Sequence, residues 1–109
     1  MTGRDEAQAA YFALLRAREE LQRIERHEEY LRAELQRLRR SAAEERALRN
    51  AAAPGPRRPL RASDEALEEA VARRVELIED ELARLPARLA AAVDFVEECE
   101  RTSRLLGRG

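Results

Sequence analysis

From Ala7 to Ala42 the chain repeats an apolar residue at alternating steps of three and four: Ala7, Ala10, Leu14, Ala17, Leu21, Ile24, then Leu31, Leu35, Leu38 and Ala42, with Glu28 the one polar member of the series. This is a heptad seam, Leu14, Leu21, Glu28 and Leu35 at position a and Ala17, Ile24, Leu31 and Leu38 at d, and it predicts a long helix that buries one narrow stripe against a partner. The first break comes at Ala53-Pro54-Gly55-Pro56-Arg57-Arg58-Pro59. Three prolines in that stretch remove three backbone donors and push the residues before them out of helical conformation. A second seam follows at steps of four and three: Val71, Val75, Ile78, Leu82, Leu85, Leu89, Ala92, Val96, Cys99.

The pattern predicts helix 1 over about 4–50, a Pro/Arg-rich turn over 51–62 and helix 2 over about 63–106. Thr2 with Asp5 resembles a capping box for the first helix, and Ser63 followed by Asp64 and Glu65 is a good start for the second. Gly107 ends it. Two seams of similar length either side of one short turn pack most economically as an antiparallel hairpin. The expected fold class is therefore all-α, a coiled-coil helical hairpin forming a single domain over 1–109. Pairing about the turn makes facing residue numbers sum to about 113, which sets Leu14 near Cys99, Leu35 near Ile78, and Glu28 level with Leu85 and Pro86.

Pro86 is the one helix breaker in the second seam. It leaves the carbonyl of Leu82 without its helical donor, so helix 2 is expected to kink there. His27 and Glu28 lie at the same height. They read either as a polar layer answering freed backbone groups or as side chains that snorkel to solvent beside a mild kink. A split of helix 2 into a three-helix bundle ranks lower, because Arg84-Leu85-Pro86-Ala87 leaves no room for a turn.

Composition agrees with long helices: 39% charged, 4% aromatic, no Trp, two Phe and two Tyr, dominated by Ala, Leu, Glu and Arg. All 21 basic residues are Arg, the mark of a GC-rich genome of bacterial type. The net charge of −1 conceals a basic middle and an acidic second half. Arg46, Arg49, Arg57, Arg58 and Arg61 crowd the turn with no acid between 46 and 62, whereas 63–100 carries twelve acids against four Arg. A basic tip of this kind can contact an acidic protein surface or phosphates. No aromatic is interleaved there to stack a base, so nucleic acid is the weaker of the two partners.

Candidate chemistry is sparse. The lone His27, without a Glu-x-x-His motif on facing helices, does not specify a metal site. Cys99, the single cysteine, sits at d as a small core residue and provides no intramolecular disulfide. No nucleophile–base pair, glycine-rich phosphate loop or cysteine cluster is present, so the chain is expected to be no enzyme, with no cofactor and no metal. No apolar run approaches the roughly 18 residues of a membrane span and no signal peptide opens the chain, so a cytoplasmic location is expected. At the open end of the hairpin Tyr11, Phe12, Leu15, Val93, Phe95 and Leu105 supply apolar surface beyond the seam, with Phe12 and Leu15 at f and b. A two-helix hairpin buries little of its surface. The expectation is a protein-protein interaction or assembly module, a homodimer joined at that end into a four-helix bundle and offering its basic tip to a protein partner. A nucleic-acid-binding coiled-coil arm is the alternative.

Overall fold

A computed structural model describes residues 2–51 and 62–107. Two helices account for all of them, with no strand among the described residues: α1 over Thr2–Ala51 and α2 over Ala62–Gly107. The all-α, two-helix architecture is consistent with a helical hairpin. The turn expected over 51–62 lies, apart from its end residues, outside the described residues. α2 begins at Ala62, so Ser63 stands inside the first turn rather than ahead of it. α2 also passes through Pro86 without interruption, which removes the three-helix alternative. One missing donor is a local loss, while the seam on either side of Pro86 keeps its spacing.

Close contacts divide the chain into two compact units: unit 1, Met1–Glu29 with Arg84–Gly109, and unit 2, Tyr30–Ala83. In unit 1, Leu14, Ala17, Val96 and Cys99 pack as one buried cluster, with Leu21 against it. Ala17 and Cys99 are the small members of this cluster, beside Val96 and Leu14. Ile24 and Leu85 complete the buried set in this unit. In unit 2 the buried residues are Leu31, Leu35 and Ile78. Each fully buried side chain of this size stabilises its unit by about 1.5–3 kcal/mol relative to exposure.

Every described seam position of both helices is buried or half-buried, Glu28 included. The cross-helix pairs report the register. Leu14 with Cys99 and Ala17 with Val96 sum to 113, at a and d. Continuing the heptad letters, an antiparallel pair in this register must join e to e at a sum of 118 and g to g at 108. Three ion pairs do so. Arg18–Glu100 in unit 1 (3.5 Å) and Arg39–Glu79 in unit 2 (3.4 Å) are e–e pairs. Arg74–Glu34 in unit 2 is a g–g pair. Each unit thus holds its two helix segments antiparallel in one and the same register.

Candidate interaction surfaces

Unit 2 carries the most developed polar structure. Arg74 donates from Nε and Nη2 to the two carboxylate oxygens of Glu34 at 3.2 and 3.1 Å, a two-pronged contact of the kind that fixes geometry as well as charge. Arg37 stands 4.0 Å from the same carboxylate. The Arg74 hydrogen bonds, with a further one from Tyr30, hold the Glu34 carboxyl below the ordinary carboxylate range, and Glu34 in turn raises Arg74. Only 14% of the Glu34 side chain is exposed, whereas Arg74 is 46% and Arg37 70% exposed, so the carboxylate lies beneath guanidiniums that face solvent.

Toward the turn, the heptad runs on past Ala42 through Glu45 at d and Arg49 at a. Arg49 pairs with Glu68 of α2, itself at a, and stands 3.9 Å from Glu45. An ionic layer therefore closes the seam where the apolar residues stop. Arg49, expected at the basic tip as a partner contact, is engaged inside unit 2. Arg46 is exposed, and the register sets it opposite Ala72 rather than an acid. Arg57, Arg58 and Arg61 lie outside the described residues. Between the helices here, Leu38, Ala42, Val71 and Val75 are only half-buried and floor an open groove of about 920 Å³, with Leu67 at its edge. Ala and Val are too short to fill the space that Leu and Ile fill at Leu35 and Ile78.

Unit 1 holds the residues expected to form an oligomer interface. Tyr11, Phe12, Val93, Phe95 and Leu105 are all exposed, between 40% and 73%, whereas Leu15 is half-buried. The rings of Tyr11 and Phe12 meet at a centroid distance of 6.0 Å, tilted by 58°. The set does not share one face. Tyr11 and Val93 are at e, on one side of the pair; Phe95 at g and Leu105 at c are on the other; Phe12 points outward at f. Phe95 falls opposite Ala13 in the g–g register, which is too small to cover it. His27 and Glu28 are half-buried and neither is without a partner, while Pro86 is exposed.

Among the described residues no group of three or more His, Cys, Asp and Glu is placed to hold a metal ion. Cys99 is free and buried. No described helix is long and apolar enough to cross a membrane. No protein-family model matches the chain, and neither does any curated protein or solved structure.

Proposed function

We propose that this chain is a non-enzymatic protein-protein interaction and assembly module, a helical hairpin that self-associates through its aromatic-bearing end into a four-helix bundle and offers its Arg-rich turn to a protein partner. One observation carries the reading: among the described residues the buried core comprises nine side chains, two of them as small as Ala17 and Cys99, while nine large apolar side chains stand exposed. Large apolar side chains left between 40% and 73% exposed are a surplus of the kind that marks contact surfaces. A homodimer completes the core without any further component.

Sedimentation equilibrium of the full chain at tens of micromolar tests the proposal. The expected result is a dimer mass with concentration-dependent melting; a well-folded monomer throughout that range would sink it. Retention on immobilised RNA and DNA separates the alternative of a nucleic-acid-binding arm. An interaction module shows none of consequence at physiological salt. Steeply salt-dependent binding that disappears when Arg57, Arg58 and Arg61 are replaced by Ala would favour the arm instead.

A further inference from the structure

We infer that the e and b positions of unit 2 form a charge-divided face that pairs with the same face of a second copy, about a two-fold axis parallel to the helices. The inference rests on the self-association reading and adds a contact that the aromatic-bearing end does not supply. In the register fixed above, the e and b positions of both helices lie on one side of the pair. Between residues 30 and 51, α1 places Arg32, Arg39 and Arg46 there and no acid, a net of +3. Between residues 62 and 83, α2 places Glu65, Glu69, Glu76 and Glu79 there and no base, a net of −4. All seven side chains are exposed. The flanking f positions leave the division in place: α1 adds Arg40, and α2 adds one charge of each sign, Arg73 and Asp80. The c and g side has no such division, with both signs on each helix.

Pairing inside the chain explains only part of this pattern. Arg39 reaches Glu79 at 3.4 Å. Arg46 stands opposite Ala72, and among the described residues no ion pair joins Arg46, Glu69 or Glu76 to another side chain. Position b lies too far round the helix to meet the chain's own α1, so the acids at Glu69 and Glu76 do nothing for the edges of the hairpin itself.

The division selects the occupant. Neighbouring helices lie about 8–10 Å apart, near one Debye length at physiological salt. A uniformly acidic partner, or a phosphate backbone, that pairs with the Arg of α1 is therefore repelled by the Glu of α2, and a uniformly basic partner meets the reverse. A second copy carries both signs on two strips at the same spacing. A two-fold axis parallel to the helices lays α1 of one protomer on α2 of its partner at unchanged height, with neighbouring helices antiparallel. By the register, Arg46 is level with position 67 and Arg39 with position 74. Arg46 thus meets the partner's Glu69 and Arg39 the partner's Glu76, each about 3 Å from level along the axis, and the symmetry makes each pair twice. A two-fold axis perpendicular to the helices sets Arg on Arg and Glu on Glu. The area suffices as well. About 22 residues of helix per segment give a face ~33 Å long and ~20 Å wide. Two such faces in contact remove on the order of 1,300 Å² from water, within the range of stable specific interfaces.

Sedimentation equilibrium of the full chain and its variants at about 0.05 M salt tests this. Arg46→Glu and Glu69→Arg each reverse two contacts per dimer, and each is expected to weaken association by about tenfold or more. Both residues are exposed, so wild-type helicity is expected from each variant. An equal mixture of the two is expected to associate as the wild type does, since each supplies the charge that the other now needs. Glu44→Arg, on the c and g side, is expected to leave association unchanged. Raising the salt to about 0.5 M is expected to weaken wild-type association several-fold. Wild-type association in both Arg46→Glu and Glu69→Arg overturns the face, as does a loss that the mixture fails to restore. Association that strengthens with salt overturns the charge pairing. Poly-L-glutamate that binds the wild type but not Arg46→Glu, with association unchanged, gives the face to a foreign acidic partner instead. These results leave self-association standing, whereas a wild type that is monomeric throughout overturns that reading itself.

Discussion

Leu77 and Ile78 are neighbours in sequence and opposites in structure, which makes them a sharp test of the register. Ile78 is 1% exposed and Leu77 is 60% exposed. Ile78→Ala deletes three buried carbons from the floor of unit 2, about 2.4 kcal/mol at ~0.8 kcal/mol per group. A residual cavity adds about 1 kcal/mol where the neighbours collapse only in part, giving roughly 3 kcal/mol in all. That is a large share of the roughly 5–15 kcal/mol that holds a typical domain. Leu77→Ala exchanges one exposed apolar residue for a smaller one of higher helix propensity, and is expected to change stability by about 0.5 kcal/mol or less. Urea melts followed by circular dichroism at 222 nm measure both, at dilution sufficient to keep the chain monomeric. Equal losses from the two variants in the dilute monomer, or a larger loss from Leu77→Ala, would falsify the register on which every surface described above depends.

Three further outcomes follow from individual residues. Glu34 has its carboxyl held down by Arg74 and Tyr30, so its contribution is complete above the ordinary carboxylate range and fades as pH falls below it through the lowered value; Glu34→Gln is expected to flatten that acid limb of the stability profile, and an unchanged limb would refute the assignment. Cys99 is buried, so thiol titration with an aromatic disulfide is expected to be slow in native buffer and immediate in denaturant, a rate equal in both being the contrary result. Glu28→Leu replaces the one carboxylate of the α1 seam, half-buried opposite Leu85, and is expected to raise Tm through a gain of about 1 kcal/mol; a clear fall in Tm would mean that its polar contacts outweigh the apolar seam.

The seam was legible because its signal is repeated. Position after position, an apolar residue at a or d meets a buried or half-buried place, and a helix that needs one stripe covered has few other ways to cover it. The ionic layer at Glu45, Arg49 and Glu68 was not legible by the same rule. A search for apolar residues stops at Ala42, and Arg49 then counts as one more charge in a basic turn. Its place at a becomes visible only when the heptad is continued through polar residues. Glu34 and Arg74 are forty positions apart, and no local spacing joins them. The rule that facing residues sum to 113 holds for the core alone, since side chains flanking it sit five residues off on either side. The placing of Tyr30, Leu48, Leu67 and Leu77 on one side of the helix pair likewise needs the registers of both helices, and neither seam alone displays it.

The polar members of the seam also explain why a sequence with a strong heptad specifies an antiparallel pair rather than two parallel chains. α1 has mostly Arg at e (Arg4, Arg18, Arg32, Arg39, Arg46, against Glu25) and Glu at g (Glu6, Glu20, Glu34), and α2 has Glu at e (Glu65, Glu79, Glu100) and Arg at g (Arg74, Arg88, against Glu81). In the antiparallel register α1 and α2 attract along both edges, while α1 against an antiparallel α1 sets Arg on Arg at e. A parallel pairing of α1 with itself escapes that penalty, because its edges join e to g. Glu28 and Arg49 close this route. Both are at a, and in a parallel dimer each faces its own copy, carboxylate on carboxylate and guanidinium on guanidinium. In the antiparallel register Glu28 stands opposite Leu85, and Arg49 finds Glu68. The residues that interrupt the apolar pattern thus cost some stability in the correct structure and far more in its nearest competitor.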